Sequence, residues 1–250
     1  MNGEKAAVFV PWWGPAPGWE SQFIERAQHS KSLRLILVGD AAGFAPEFDV
    51  DRIPIETEEF EELARKVSGV NIRKRDPKYP RGQSLCELRP LLADMFPEAL
   101  ADLSWWGYGD MDVVWGDWDS FLTDGLLEQF DIITSNAKTI NGPFCLFRTS
   151  LSRLYLKRQD LLENPLNSGL DESGLQAAVE IEAGNGRLRC LYPSGINAHD
   201  RHPVWNRCRL IMNGTKLHRV SRDGLLGGEI LKFHFPAGSR WPLETPCRTK

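Results

Sequence analysis

Trp105–Asp119, WWGYGDMDVVWGDWD, is an apolar run that ends in two aspartates one residue apart, Asp110 and Asp112. Trp105, Trp106 and Tyr108 precede the pair and Val113, Val114 and Trp115 follow it, which is the pattern of an internal strand end. Two carboxylates so spaced reach a single ion where a strand's alternation relaxes into a loop. A divalent cation held by hard carboxylate oxygens can neutralise the charge of a nucleotide diphosphate as that group leaves. The stretch therefore predicts a metal site, against the plainer reading of ordinary loop carboxylates. Two other Asp-x-Asp pairs are set in different contexts. Asp49/Asp51 lies between Pro46 and Pro54 in a turn-like segment, and Asp117/Asp119 follows Gly116, where Asp119 is expected to cap a helix beginning at Ser120.

Upstream, Ala6–Pro11 (AAVFVP) reads as a buried parallel strand opening into the loop PWWGPAPG. Trp19, Phe23, Ile24 and Ala27 fall on one helical face, and Leu33–Val38 gives a second buried strand ending at Gly39 and Asp40. Strand, helix, strand is the start of a parallel α/β sheet, whose ligands sit beyond the carboxyl ends of its strands. That places Trp12, Trp13, Gly14 and Asp40 on one rim. Thr57 caps a helix with Phe60, Leu63, Ala64 and Val67 at helical spacing, and its glutamates form a solvated face. Asn71–Gly82 is polar and Pro-broken and reads as a surface loop. Ser84 and Glu87 form a capping box ahead of Leu88, Leu91, Leu92, Met95 and Phe96, with Pro90 bending the helix. Arg89 stands early in that helix, where a cation needs a negative partner, either a phosphate or a carboxylate.

Downstream, the pattern predicts a helix over Ser120–Phe130, strands over Asp131–Ser135 and Pro143–Arg148, and a helix marked by Leu151, Leu154, Tyr155, Leu161 and Leu162. Asp171 and Glu172 open a further helix carrying Leu175, Ala178 and Val179. Their plain role is to complement the helix dipole; the functional alternative is that one faces an acceptor hydroxyl as base or orienting group. Arg209–Val220 reads as a hairpin around Asn213-Gly214, and Glu229–Phe235 (EILKFHF) as one more strand, whose alternation sets His234 opposite the aromatic face. His234 is thereby a candidate third metal ligand, with an ordinary half-buried histidine as the alternative. His199 and His202, with Asp200 between them, form a rival cluster that Pro203 and its loop context disfavour.

The 250 residues, 42% hydrophobic, suffice for one full core. A net charge of −4 gives no basic footprint for nucleic acid. The short apolar start broken by Pro11 is too short for a signal peptide or a membrane span, so the chain is expected in the cytoplasm, with peripheral membrane contact left open. Five scattered cysteines read as reduced thiols.

The order VFVPWWG (8–14), LVGD (37–40), SLCELRP (84–90), WWGYGDMDVVWGD (105–117) and a late HF (234–235) resembles a poorly characterised, mainly bacterial family of glycosyltransferase-like proteins with the GT-A fold, related to capsular and lipopolysaccharide sugar transferases. The resemblance spans most of residues 7 to 235. It implies an α/β, mixed but mostly parallel sheet flanked by helices, in one domain: a nucleotide-binding half over about 1–118 and an acceptor-side half over about 119–250. It also implies that Pro11, Trp12, Trp13 and Gly14 hold the nucleotide, that Asp40 approaches the base or ribose, and that Arg89 approaches the donor. Asp110, Asp112 and His234 would hold a divalent Mn or Mg ion on the diphosphate, while Asp171 and Glu172 are catalytic candidates on their place at a helix start alone. The expected partners are a nucleotide-diphosphate sugar and a saccharide acceptor of the cell envelope. A carbohydrate-binding module using nine tryptophans as stacking surfaces, and a metal-dependent phosphoesterase, are the competing readings.

Overall fold

Three parallel strands whose carboxyl ends share one rim position every residue singled out near the chain's start. The computed structural model describes residues 3–69, 85–134, 140, 143–154, 156, 172–191, 197–199, 209–213, 216–220, 226–230 and 232–234. In chain order these form β1 (Ala6–Trp12), α1 (Glu20–Ala27), β2 (Leu33–Gly39), β3 (Asp51–Ile53), α2 (Thr57–Ser68), α3 (Leu92–Met95), β4 (Trp105–Gly109), β5 (Val113–Trp115), α4 (Trp118–Phe121), α5 (Asp124–Gln129), β6 (Ile132–Thr134), β7 (Phe144–Arg148), α6 (Glu172–Gly184) and β8 (Cys190–Leu191). Five short strands follow: β9 (Asn197–His199), β10 (Arg209–Asn213), β11 (Lys216–Val220), β12 (Leu226–Ile230) and β13 (Lys232–His234).

The main sheet runs β3-β2-β1-β4-β7-β6-β8. β1 pairs in parallel with both β2 and β4, β2 with β3, and β6 with β8, while β7 alone is reversed against its neighbours β4 and β6. This is the mixed, mostly parallel sheet that the sequence predicts. Its strands are continuous apolar runs because both faces are covered. Ala7, Phe9, Trp106, Tyr108, Cys145 and Phe147 face a core closed by α2, the turn before α3, and α6. Ala6, Val8, Val10, Trp105, Phe144 and Leu146 face the other, closed by α1, Trp115 and Trp118. Period-two alternation thus sorts side chains between two cores rather than between core and water.

Several expected elements come out differently. The helix from Ser84 becomes a 3₁₀ turn over Cys86–Leu91 followed by the single turn α3. Pro90 lies inside that turn, where it can donate no backbone hydrogen bond and blocks α-geometry; Ser84 lies outside the described residues. The helix over Ser120–Phe130 splits into α4 and α5 at Leu122, with Thr123 accepting from the Leu126 N–H. α2 begins at Thr57 itself, with Glu56 in the capping position. Thr149–Leu151 forms a 3₁₀ turn; Tyr155, Leu161 and Leu162, like Asn71–Gly82, lie outside the described residues. The hairpin forms, with Asn213 paired to Lys216. The strand over Glu229–Phe235 divides in two: β12 pairs with β11, whereas β13 leaves for a separate three-stranded sheet, β5-β13-β9. Alternation therefore does not carry across the whole stretch.

Asp119 does not cap a helix. Asp117 does, accepting from the Ser120 N–H at 3.1 Å. Asp119 instead fastens the connection between α1 and β2, accepting from Ser30 Oγ at 2.9 Å, Lys31 N at 3.0 Å and Ser32 N at 2.8 Å. Burial alone would raise the Asp119 pKa, but the hydrogen bonds from Lys31, Ser32 and Ser30 outweigh it and hold the carboxyl below the usual value. A depressed folded-state pKa contributes stability above the unfolded value, about 3.9, that is lost as pH falls through the folded one. We expect Asp119→Ala to cost about 1–2 kcal/mol at neutral pH. Denaturant melts at pH 7 and near pH 3 check this, and the cost should shrink at the acid end.

Candidate active site

β1 and β2 end level with each other, Trp12 opposite Gly39, and this brings their following loops together. Gly39, at φ 77°, turns the chain so closely under Trp13 that a Cβ there would lie 2.6 Å from the indole ring. Asp40, exposed just beyond, accepts the Gly14 N–H at 2.7 Å. Trp13 packs on Phe60 with ring centroids 4.6 Å apart and donates its indole N–H to the Ile55 carbonyl, while Trp12 donates to Pro15 O. The PWWG loop is therefore a braced arch over the carboxyl ends of β1 and β2. Pro11 is buried within β1, one residue short of the rim.

β4 ends on that same rim, with Phe9 paired to Tyr108 and Asp110 two residues further on. Asp110 anchors its backbone by donating to Pro143 O at 3.3 Å. Its carboxylate accepts from Arg89, whose guanidinium also lies 5.3 Å from the centre of the Tyr108 ring. Arg89 is 8% exposed, so its charge is carried into the protein, where a carboxylate partner offsets part of the desolvation cost. Of the two partners the sequence allowed Arg89, the structure supplies the carboxylate. Asp112 is half-buried in the bend between β4 and β5.

His234 reaches this region by a route invisible in local pattern. β13 lies beside β5, with His234 the Cα partner of Val113, the residue directly after Asp112. On its other side His234 is the partner of His199 in β9. Asn197–His199 is thus a strand and not the surface loop expected of it; Asp200 and His202 lie outside the described residues. Glu172 is the first residue of α6, whose Leu175, Ala178 and Val179 share a core face with Tyr108 and Leu88, and α6 touches the turn carrying Arg89. Asp171 lies outside the described residues.

Two carboxylates against one guanidinium leave the Arg89–Asp110–Asp112 group one negative charge in excess, and hard oxygens one residue apart suit a divalent cation. Arg89 already shows that Asp110 takes a cationic partner. Among the described residues no three His, Cys, Asp or Glu side chains cluster as metal ligands, and an ion held by this pair would draw any third protein ligand from outside them; the His234 backbone runs beside Val113. The residues present fit such an ion. The coupling of Arg89 to Asp110 escaped sequence reading; a cation early in a helical segment was its signal. The tryptophans count against stacking surfaces, since Trp19, Trp105, Trp106, Trp115 and Trp118 are all buried.

One family model matches the chain, described as a family of unknown function (DUF6625), over residues 8–172. No curated protein matches. Among solved structures, mouse xyloside xylosyltransferase 1 in its apo form aligns at a TM-score of 0.54 and 11% identity, covering 95% of this chain and 100% of that one. A glycosyltransferase involved in glycosylation of the major capsid of PBCV-1 gives a TM-score of 0.45 at 12% identity, covering 94% of each chain. An active-site mutant of LgtC gives 0.48 at 10%, covering 92% of this chain and 86% of that one. The fold assignment rests on the first of these: the chain has a GT-A-like glycosyltransferase fold. Among the described residues no helix is long and apolar enough to cross a membrane.

Proposed function

The chain belongs to the family of unknown function DUF6625, and we propose that it transfers a sugar from a nucleotide-diphosphate donor to a hydroxyl of a cell-envelope saccharide. The observation that carries this reading is the Asp110–Arg89 pair with Asp112 beside it, at the carboxyl end of β4 in a GT-A-like fold. A fold hosts many functions, so the site has to bear the argument. The braced Trp12–Gly14 arch and Asp40 form the nucleotide side, within a donor half over about 1–118; residues from about 119 onward form the acceptor side of the same domain. Asp110, Asp112 and His234 would hold Mn or Mg, which when bound supplies Lewis-acid stabilisation to the departing diphosphate. Arg89 fixes the orientation of the Asp110 carboxylate and keeps a positive charge beside the donor. The reaction is placed in the cytoplasm, where nucleotide sugars are at hand, with peripheral membrane contact compatible.

The test is a thermal-shift panel of nucleoside diphosphates with and without Mn2+ or Mg2+. A ligand that binds the folded state alone stabilises it by about 2.7 kcal/mol at a hundredfold excess over Kd. Metal-dependent stabilisation by one nucleotide is the expected result. Stabilisation by free sugars without nucleotide would favour a binding module, and phosphate release without an acceptor would favour a phosphoesterase.

If transfer inverts the anomeric centre, Asp171 or Glu172 deprotonates the acceptor; if it retains configuration, they orient it. Asp171→Asn and Glu172→Gln separate these from helix-dipole roles. A base variant should lose roughly a hundredfold in transfer with donor binding and Tm near the parent values. A dipole partner should lose up to about 1 kcal/mol of stability with transfer unchanged.

A further inference from the structure

The loop that leaves β2 opens with a 3₁₀ turn over Asp40–Gly43 and returns to the sheet at Asp51, beside the strand it left. One side chain holds it from within. From β3, Arg52 Nη1 donates to Ala42 O at 2.8 Å and to Phe44 O at 2.7 Å, and Nη2 to Ala45 O at 2.9 Å and to Phe48 O at 3.1 Å. Glu47, Asp49 and Asp51 are its neighbours in sequence, yet all four of these bonds go to backbone. A flat, rigid fork of donors gathers several acceptors at once, which an ammonium on a flexible stem does not. The bonds keep a conformation that the chain alone would leave. Ala45 has φ 43°, in the left-handed region that a Cβ disfavours, and it precedes Pro46, a position that favours extended backbone.

The first residue of that loop is Asp40, exposed on the rim with one carboxylate oxygen on the Gly14 N–H. Two fixed points flank it: Gly39, pressed under Trp13, and Ala42, whose carbonyl Arg52 holds. Strained backbone persists where its surroundings over-determine it, and such places gather at ligand sites. Resting on the donor reading above, we propose that Arg52 is a positioning residue for the donor nucleotide. Through the loop it fixes the Asp40 carboxylate before the nucleotide arrives, so binding does not have to order it.

The experiment is calorimetric titration of the full chain with UDP, GDP, ADP and CDP, each with Mn2+, well below every variant's Tm. The nucleotide that the parent binds most tightly is carried to the variants. Having to order a loop side chain on binding corresponds to about threefold to tenfold in Kd, and Arg52→Met should lose that much. Arg52→Lys keeps the charge and loses the fork, so it should lose as much, and it decides the matter if Arg52→Met folds poorly. In an Asp40→Ala background, Arg52→Met should change Kd by less than about twofold, because the group it positions is gone. An equal loss with and without Asp40 means that Arg52 only props the sheet edge, and overturns the proposal. Unchanged affinity in either single Arg52 variant also overturns it and leaves the donor reading standing. A parent that binds none of the four nucleotides removes both readings together.

Discussion

Asp112→Asn should abolish sugar transfer and metal-dependent nucleotide binding while the protein melts where the parent does. The substitution removes one negative charge and keeps the side chain's shape and one acceptor oxygen, so it leaves the steric packing around the bend before β5 as it is. A loss of about a thousandfold in kcat/KM corresponds to about 4 kcal/mol of transition-state stabilisation, a reasonable cost for one of two carboxylates on a catalytic cation. Asp110 is also the partner of buried Arg89, and breaking a buried pair by removing one member typically costs about 3–5 kcal/mol of stability. A lost activity in Asp110→Asn would thus mix chemistry with unfolding. Steady-state rates, nucleotide-dependent thermal shifts and the ligand-free Tm of Asp112→Asn keep the two apart. Unchanged turnover in that variant would sink the metal assignment.

Those parts of the molecule that read directly from sequence are the ones where a single local rule decides. β1, β2, β4 and β7 are short continuous apolar runs, and such runs are buried on both sheet faces whatever surrounds them. Asp110 and Asp112 stand out because bulky apolar residues flank them on both sides, a pattern legible within one short stretch. Where several segments compete, local rules fail. Spacing alone predicts a helix that Pro90 merely bends, but the ring's geometry converts the first turns to 3₁₀ and leaves α3 a single turn. Its place before Ser120 makes Asp119 a cap by local rule, yet three donors from the Ser30–Ser32 connection, almost ninety residues earlier in the chain, claim its carboxylate. The placement of His234 beside Val113 depends on β13 abandoning β12's sheet for β5, a choice made by pairing across more than a hundred residues. The neighbours of His199 are loop-like in sequence, and only the pairing with β13 makes Asn197–His199 extended.

Gly107→Ala should be among the most destabilising single substitutions in the chain. Gly107 sits in the middle of β4, between β1 and β7, opposite Leu146. A Cβ built there would lie 2.0 Å from the Cys145 carbonyl oxygen and 2.7 Å from Leu146 Cδ2. The nearer atom belongs to backbone, so no rotamer change relieves the clash; β7 must lift from β4. Overpacking in a well-packed core typically costs 1–3 kcal/mol, and backbone displacement puts this case at about 3 kcal/mol, a drop of roughly 6–12 °C in Tm for a protein of this size. The effect should also reach the site. Asp110 is tied to Pro143, directly ahead of β7, so moving β7 moves the carboxylate that Arg89 holds. Donor binding should weaken even among molecules that remain folded, visible as a raised nucleotide Kd well below the variant's Tm. Gly109→Ala supplies the contrast, since its Cβ would meet nothing nearer than Pro143 O at 3.5 Å, an ordinary contact. It should cost less than about 1 kcal/mol. Equal melting temperatures for the two variants would mean that β4 and β7 do not pack as closely as their register places them.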